Sequence, residues 1–460
     1  MRTPNPLIRE RLLRTLRSSP RRSSTELADR IGVTPQSVRR LLGELPERAV
    51  LAAGRTRRVR YALRRALRGV LDDLPLYAID VEGQGQQLAT LALVQPEGAL
   101  LDLKGSAWPV PYESQDGWWD GLPYPVLAAR PQGYLGRQFA RAEHRNLGVS
   151  EDPEQWSDED VLWVLSRRGT DVPGNIVLGD EAYEQWLQHK MRAPGPLDSA
   201  TVADAYVQRA GDAVALAGGG SSAAGEFPKF TALRELEGSR TPHVLVKFSG
   251  AAGSAAERRW GDLLVCEHRA LECARMLPGI SAARSRMLSR GGRVFIEVER
   301  FDRVGRHGRL ALCGLDAIQG AFIGARSTDW PELVERLHRI GLLDAASVNA
   351  VEHLWWFGRL IANTDMHLGN LSFHVERRLR LAPAYDMLPM AYAPLAGGEV
   401  SPRDFTPALP TPPQRSVWLA ACAIAIEFWT EAATDTRVSD SFRGICRANA
   451  TRLRDLAGKV

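Results

Sequence analysis

Apolar and polar positions alternate along the first seventy residues in a way that predicts three helices and a hairpin. Residues 7–19 carry apolar positions at helical spacing. Ser24-Thr25-Glu26-Leu27 opens a second short helix that stops near Gly32, and Thr34 caps a third with Pro35 in its first turn. Val38, Leu41 and Leu42 fall on one face of that third helix, leaving Gln36, Ser37, Arg39 and Arg40 largely on the other. Val50 to Tyr61 reads as a hairpin turning at Gly54, with Arg55, Arg57 and Arg58 at its tip. Three helices plus a hairpin, with Gly-Val-Thr before the third helix, form a winged helix-turn-helix over residues 1–70.

Beyond the head the pattern changes twice. Residues 71–200 are mixed and strand-rich, broken by Pro and Gly, with tryptophans at 108, 118, 119, 156, 163 and 186. They carry no catalytic cluster and read as a packing or docking subdomain. In residues 201–310 short strands at 243–248 and 294–299 flank a helix over 258–277. Residues 311–460 are mostly helical apart from a hairpin at 371–386. The expected fold class is α+β, with a strand-rich lobe followed by a helical lobe. The apolar run from Leu419 to Ile426, continued by Phe428-Trp429, is interrupted by Glu427 and reads as a core helix too short to span a bilayer. No apolar segment follows the basic N-terminus, so a cytoplasmic location without membrane attachment is expected.

Charge sharpens this division. Residues 1–70 hold 18 arginines, no lysine and 5 acidic residues, a local +13 in a chain of net charge +5. A basic head on a mildly acidic body points to nucleic acid as the head's partner. Of 59 basic residues only five are lysines: Lys104, Lys190, Lys229, Lys247 and Lys459. A lysine kept against that background is informative where a compact ammonium must reach a phosphate. The five scattered cysteines form no Cys-x-x-Cys pair and read as small buried hydrophobes.

The candidate chemistry lies at Asn363-Thr-Asp365-Met-His367-Leu-Gly-Asn370, followed sixteen residues later by Asp386. An aspartate, an asparagine five positions on and a second aspartate match the catalytic loop and metal-binding turn of kinases. Asp365 would take the proton of an attacking hydroxyl, and Asn370 and Asp386 would hold Mg²⁺ against ATP phosphates. His367 with Asp365 and His374 does not have the paired-histidine spacing of a zinc or di-metal site. Upstream, the glycine- and serine-rich turn from Gly218 to Lys229, with Ser222 and Gly225, would let backbone amides approach phosphate oxygens. Lys247 follows on a strand, Glu267 on the next helix is its candidate partner, and Glu299 to Phe301 ends a strand where an inter-lobe hinge would receive adenine. The pattern leaves open a protein kinase, a small-molecule kinase of the aminoglycoside type, and a DNA-binding regulator with a kinase-like nucleotide sensor.

The series Ser222 to Lys229, Val246-Lys247-Phe248, Glu299-Arg-Phe301-Asp-Arg303, the 363–370 loop and Ala382-Pro-Ala-Tyr-Asp386 resembles the HipA family of serine/threonine kinases, toxins of type II toxin–antitoxin systems. Leu135-Gly-Arg137 and Val172-Pro-Gly-Asn-Ile-Val are weaker echoes in the preceding region. The resemblance implies a bilobal kinase-like fold and ATP with Mg²⁺ as cofactors. By it Ser222, Gly225, Lys229, Lys247, Glu299, Phe301 and His367 line the nucleotide site, Asp365 is the base, Asn370 and Asp386 bind metal, and Ser222 is autophosphorylated. It also implies a protein substrate and an antitoxin or second copy as partner. A fused helix-turn-helix head matches a subset of that family.

Overall fold

Residues 6–460, apart from 47, 56–57, 217–226, 236, 252 and 396, are described by a computed structural model. They divide into one unit of Met1–Asp80, Gln84–Arg130 and Gln155–Arg192 and a second of Val81–Gly83, Pro131–Glu154 and Ala193–Val460.

In the first unit, α1 (Pro6–Ser18), β1 (Arg22–Ser23), α2 (Ser24–Ile31), α3 (Pro35–Gly43), β2 (Val50–Ala53) and β3 (Arg60–Leu63) make the winged helix-turn-helix. A capping box between Ser23 and Glu26 starts α2, and Gly32 ends it at φ +72°, a left-handed conformation that costs glycine little. Thr34 caps α3 through the Ser37 amide, and Pro35 stands in the first turn. Leu12, Leu16, Leu27, Ile31, Val38 and Leu41 form the head's core.

The wing sheet β1-β3-β2 does not stop at the head. Arg65 N donates to Leu93 O and Gln95 N to Leu63 O, both at 2.9 Å. This continues β3 onto the end of β5 (Gly85–Leu93). That strand belongs to an antiparallel sheet ordered β7 (Trp118–Trp119), β6 (Ala99–Leu100), β5, β4 (Leu74–Ile79) and β8 (Ile176–Leu178). Leu51 and Ala62 of the wing share a buried cluster with Ala92, Val94 and Trp118. Arg21 bonds Trp119 O and Asp120, Arg65 reaches Glu159 at 3.2 Å, and Arg68 reaches Asp160 at 2.5 Å. Part of the arginine excess is therefore spent on the fold. The helix α4 (Tyr124–Ala128) completes this part, while α5 (Gly133–Leu147) belongs to the second unit. The helices α6 (Asp158–Arg168) and α7 (Asp180–Arg192) return to the first.

In the second unit α8 (Val202–Leu216) covers one face of an antiparallel sheet ordered β11 (Ser285–Arg290), β12 (Arg293–Glu299), β10 (His243–Phe248) and β9 (Lys229–Leu233). Val202, Tyr206 and Ala210 pack there against Val244, Val246, Phe248 and Phe295. The long helix α9 (Ala255–Ala274) starts at a Ser254–Glu257 capping box. Asp262 accepts the Ser439 amide at 2.7 Å and its hydroxyl at 2.6 Å, and Arg269 meets Asp435 at 2.9 Å. These bonds fasten α9 to the segment between α13 (Arg415–Thr434) and α14 (Asp440–Ala457).

The remaining C-lobe comprises the hairpin β13 (Arg303–Val304) and β14 (Gly308–Arg309), then a sheet of β15 (Leu312–Gly314), β16 (Ser372–Val375) and β17 (Leu379–Leu381). Around it stand α10 (Leu315–Phe322), α11 (Trp330–Arg339) and α12 (Ala345–Leu360). By length and composition Pro412–Thr434 would pass as a membrane span. In the fold, its Trp418, Phe428 and Trp429 are fully buried within the helical lobe. The five cysteines are buried and free.

Candidate active site

Lys247 stands on β10 opposite Ile296 of β12 and Lys229 of β9. Directly opposed residues of antiparallel strands share a face, so both lysines lie on the side away from α8. From α9, Glu267 Oε1 comes to 2.7 Å of Lys247 Nζ, with the two side chains 1% and 3% exposed. Lys247 Nζ also reaches Asp386 Oδ1. Burial disfavours the charged Lys247, but the two carboxylates outweigh it and hold the ammonium above its ordinary pKa. Burial likewise pushes the Asp386 carboxyl up; Lys247 and Lys229 more than reverse this and bring it down to about 2. For Glu267 burial wins, and its carboxyl sits above the usual carboxylate range despite Lys247.

The loop after α12 is held by its own asparagines. Asn363 Oδ1 accepts the Asp365 amide at 3.0 Å, and its Nδ2 donates to Asp386 O at 3.3 Å. Asn370 Nδ2 donates to Asp365 O at 2.7 Å, which leaves Asn370 Oδ1 as the atom to offer a cation. Asp386 adopts φ +53°, a left-handed backbone that aspartate tolerates better than most residues. Gly358 in α12 lets the loop approach, since a Cβ there would lie 2.5 Å from Met366 Sδ. The Asp365 side chain is 51% exposed, open to an incoming hydroxyl, with His367 Nε2 4.0 Å from Oδ1. His367 turns Nδ1 to the Gly369 amide at 3.1 Å, so one ring nitrogen caps the short turn at 368–370.

The hinge behaves differently from its sequence reading. Residues 295, 297 and 299 of β12 share the α8 face, opposite Lys247. Glu299 Oε2 accepts the Ser239 hydroxyl at 2.7 Å and Oε1 the Arg240 amide at 3.3 Å. Its carboxylate is occupied on the back of the sheet, and only its backbone borders the front. Phe301 instead meets Tyr385, ring centroids 5.5 Å apart, and lies edge-on to His374 at 6.1 Å. Tyr385, part of the 382–386 motif but without a role in the sequence reading, donates to Gly369 O at 2.5 Å and pairs with the Ser372 hydroxyl at 2.7 Å. It thus braces the 363–370 loop beside Asp386. Asn363 opens the motif without an assigned role; the signal for its bracing is an asparagine two residues ahead of a loop aspartate, the spacing of an Asx turn.

Among the described residues no three His, Cys, Asp or Glu side chains gather as a metal cage. Asn370 Oδ1 and Asp386 offer two hard oxygens, which suits Mg²⁺, an ion that keeps waters and substrate phosphates as its other ligands. Ser222 and Gly225 lie outside the described residues. Lys229, which follows that segment, stands beside Lys247, and its ammonium has no hydrogen bond or ion pair among the described residues.

The toxin YjjJ of Escherichia coli K12 is 37% identical over 441 residues, spanning 95% of this chain and 96% of that protein. The chain is a YjjJ-like member of the HipA family. Residues 221–445 match the HipA-like C-terminal domain, 70–187 the YjjJ-like toxin middle domain and 7–47 the winged helix-turn-helix DNA-binding family. Two solved structures are more distant. One, titled as HipA with HipB and operator DNA from Shewanella oneidensis MR-1, is 15% identical (84% of this chain, 97% of that one, TM-score 0.49). The other, the Helicobacter pylori proinflammatory kinase CtkA, is 10% identical (50% and 90%, TM-score 0.35). In this YjjJ-like chain the lysine strand, the 363–370 loop and Asp386 all fall within the HipA-like domain.

The head's candidate nucleic-acid residues are disposed unequally. Gln36, Arg39 and Arg40 are exposed along α3, and Arg40 lies 3.7 Å from Glu44. Ser37 is half-buried, with its amide and hydroxyl both engaged by Thr34. Arg55 and Arg58 are exposed on the wing, while Arg57 lies outside the described residues.

Proposed function

We propose that this HipA-family protein is an ATP-dependent serine/threonine protein kinase that acts as a growth-inhibiting toxin. The Lys247–Glu267–Asp386 cluster beside the Asp365/Asn370 loop carries this reading. In it Lys247 keeps Glu267 and exchanges Asp386 for the α- and β-phosphates, with Lys229 adding a second ammonium. Asp386 and Asn370 hold Mg²⁺, which when bound neutralises the β- and γ-phosphate oxygens. Asp365 accepts the proton of a protein hydroxyl as that oxygen bonds the γ-phosphorus and the bond to ADP breaks. Phe301 and Tyr385 offer aromatic surface to adenine next to the hinge backbone of Glu299.

On this reading Ser222 is phosphorylated by the chain itself, and the added charge sets its loop against the ATP phosphates. The head holds the kinase on DNA in the cytoplasm through α3 and the wing, with an antitoxin or a second copy as partner. The test is transfer of labelled phosphate from ATP to lysate proteins beside an Asp365→Asn variant, with phosphopeptides mapped in both. Label on protein hydroxyls with the intact chain alone supports the reading. Label on small aminoglycoside-like acceptors only, or none with ATP bound, overturns it.

A further inference from the structure

Behind the sheet, on the face away from Lys247, lies a cavity of about 300 Å³ lined by Glu297, Glu299, Arg275, Arg284, Arg286 and Ser239 among others. The register fixes its side. Glu297 opposes Val246 on one strand and Arg286 on the other, and Tyr206 of α8 donates to Glu297 Oε1 at 2.8 Å. Glu297 and Glu299 thus meet it from the face of the sheet opposite Lys247.

Apart from Val244 the lining side chains are polar or charged. Glu297 is 1% exposed, and Oε1 takes both Tyr206 and Arg234 Nε, each at 2.8 Å. Its Oε2 is buried with no hydrogen-bond partner among the described residues. A buried carboxylate oxygen left unpaired costs free energy unless something donates to it. At the rim each arginine spends nitrogen on a backbone carbonyl: Arg275 on Ala283, Arg284 on Gly238 and Arg286 on Glu237. The remaining guanidinium donors are available to an anion. The space is about ten times a water's share of liquid volume and falls at the small end of ligand pockets.

We propose that this cavity binds a small ampholyte: an anion for the three arginines that also carries an amino donor for Glu297 Oε2. A free α-amino acid and a nucleoside monophosphate with an exocyclic amine share that chemistry. This site is distinct from the proposed catalytic centre and does not depend on phosphotransfer.

The test is calorimetric titration of the full chain in the presence of a saturating non-hydrolysable ATP analogue. One arm uses free amino acids, another AMP and GMP, and controls use inorganic phosphate and ethylamine. One ampholyte arm binds, the single-function controls bind at least about tenfold more weakly, and Arg286→Ala weakens binding about tenfold, the worth of one charge-assisted bond. Glu297→Gln does the same if it folds; Arg286 is exposed, so its variant decides the matter. No binding in any arm, or binding unmoved by Arg286→Ala, overturns the proposal. So does a nucleotide whose binding is lost with Lys247→Met but kept with Arg286→Ala.

Discussion

Lys247 and Glu267 meet at 2.7 Å in a place where neither side chain sees water. Breaking a buried pair by removing one partner leaves the other charge uncompensated. Lys247→Met is therefore expected to destabilise the second unit by about 3–5 kcal/mol. Adding Glu267→Leu restores most of that stability while phosphotransfer stays abolished. Urea denaturation beside initial rates separates the two effects; a double variant as unstable as the single one would show that packing, not charge, dominates.

Asp365 presents the opposite case, a carboxylate whose side chain is half exposed at the mouth of the loop. Asp365→Asn should lower the phosphotransfer rate by about 10²–10⁴-fold, the usual worth of a positioned base. ATP affinity and melting temperature should hardly move. A comparable loss of ATP binding would mean that Asp365 holds the nucleotide instead.

Asp435, between α13 and α14, accepts from Arg269 of α9 and from its own neighbour Arg437. Burial raises its carboxyl, yet the arginine bonds outweigh burial and hold it far below the ordinary range. A depressed carboxyl contributes stability that is complete above its unfolded pKa of about 4 and is lost as pH falls through the folded value. Asp435→Asn should thus cost about 1.5–3 kcal/mol at neutral pH. The gap to wild type should narrow below about pH 4. Denaturation curves at pH 7, 5 and 3.5 check this, and a gap constant with pH would refute the linkage.

On the head, Arg39 and Arg58 are exposed. Replacing both with alanine should weaken binding to duplex DNA and reduce the slope of log K against log salt by up to about 0.9 per lost phosphate contact. Fluorescence anisotropy at several salt concentrations measures it. An unchanged slope would move the DNA interface off α3 and the wing.

Local pattern carried much of this protein. The cap at Thr34, the lysine strand and the 363–370 spacing are written in neighbouring residues, and their positions in the fold follow. Long-range pairings left no such trace. The run of β3 onto β5 joins residues some thirty apart through backbone atoms, which no side-chain pattern announces. For that reason arginines such as Arg21 and Arg65 read as nucleic-acid charge when they are braces for the middle region. Glu299 sits at the expected strand end, but strand alternation turns its carboxylate to the back of the sheet, a matter of parity that the motif alone does not decide. Tyr385 matters through its hydroxyl's reach to Gly369, a contact created only by the folded loop.

The bonds from Asp262 and Arg269 grip α9 at points seven residues apart, about 10 Å along its axis. A helix clamped twice has no room to swing its glutamate away from Lys247. On the proposed reading, readiness is then built in at folding, not granted by a later signal. A cell making such a protein governs it by how much it makes, by whether Ser222 carries a phosphate, or by what it meets on DNA.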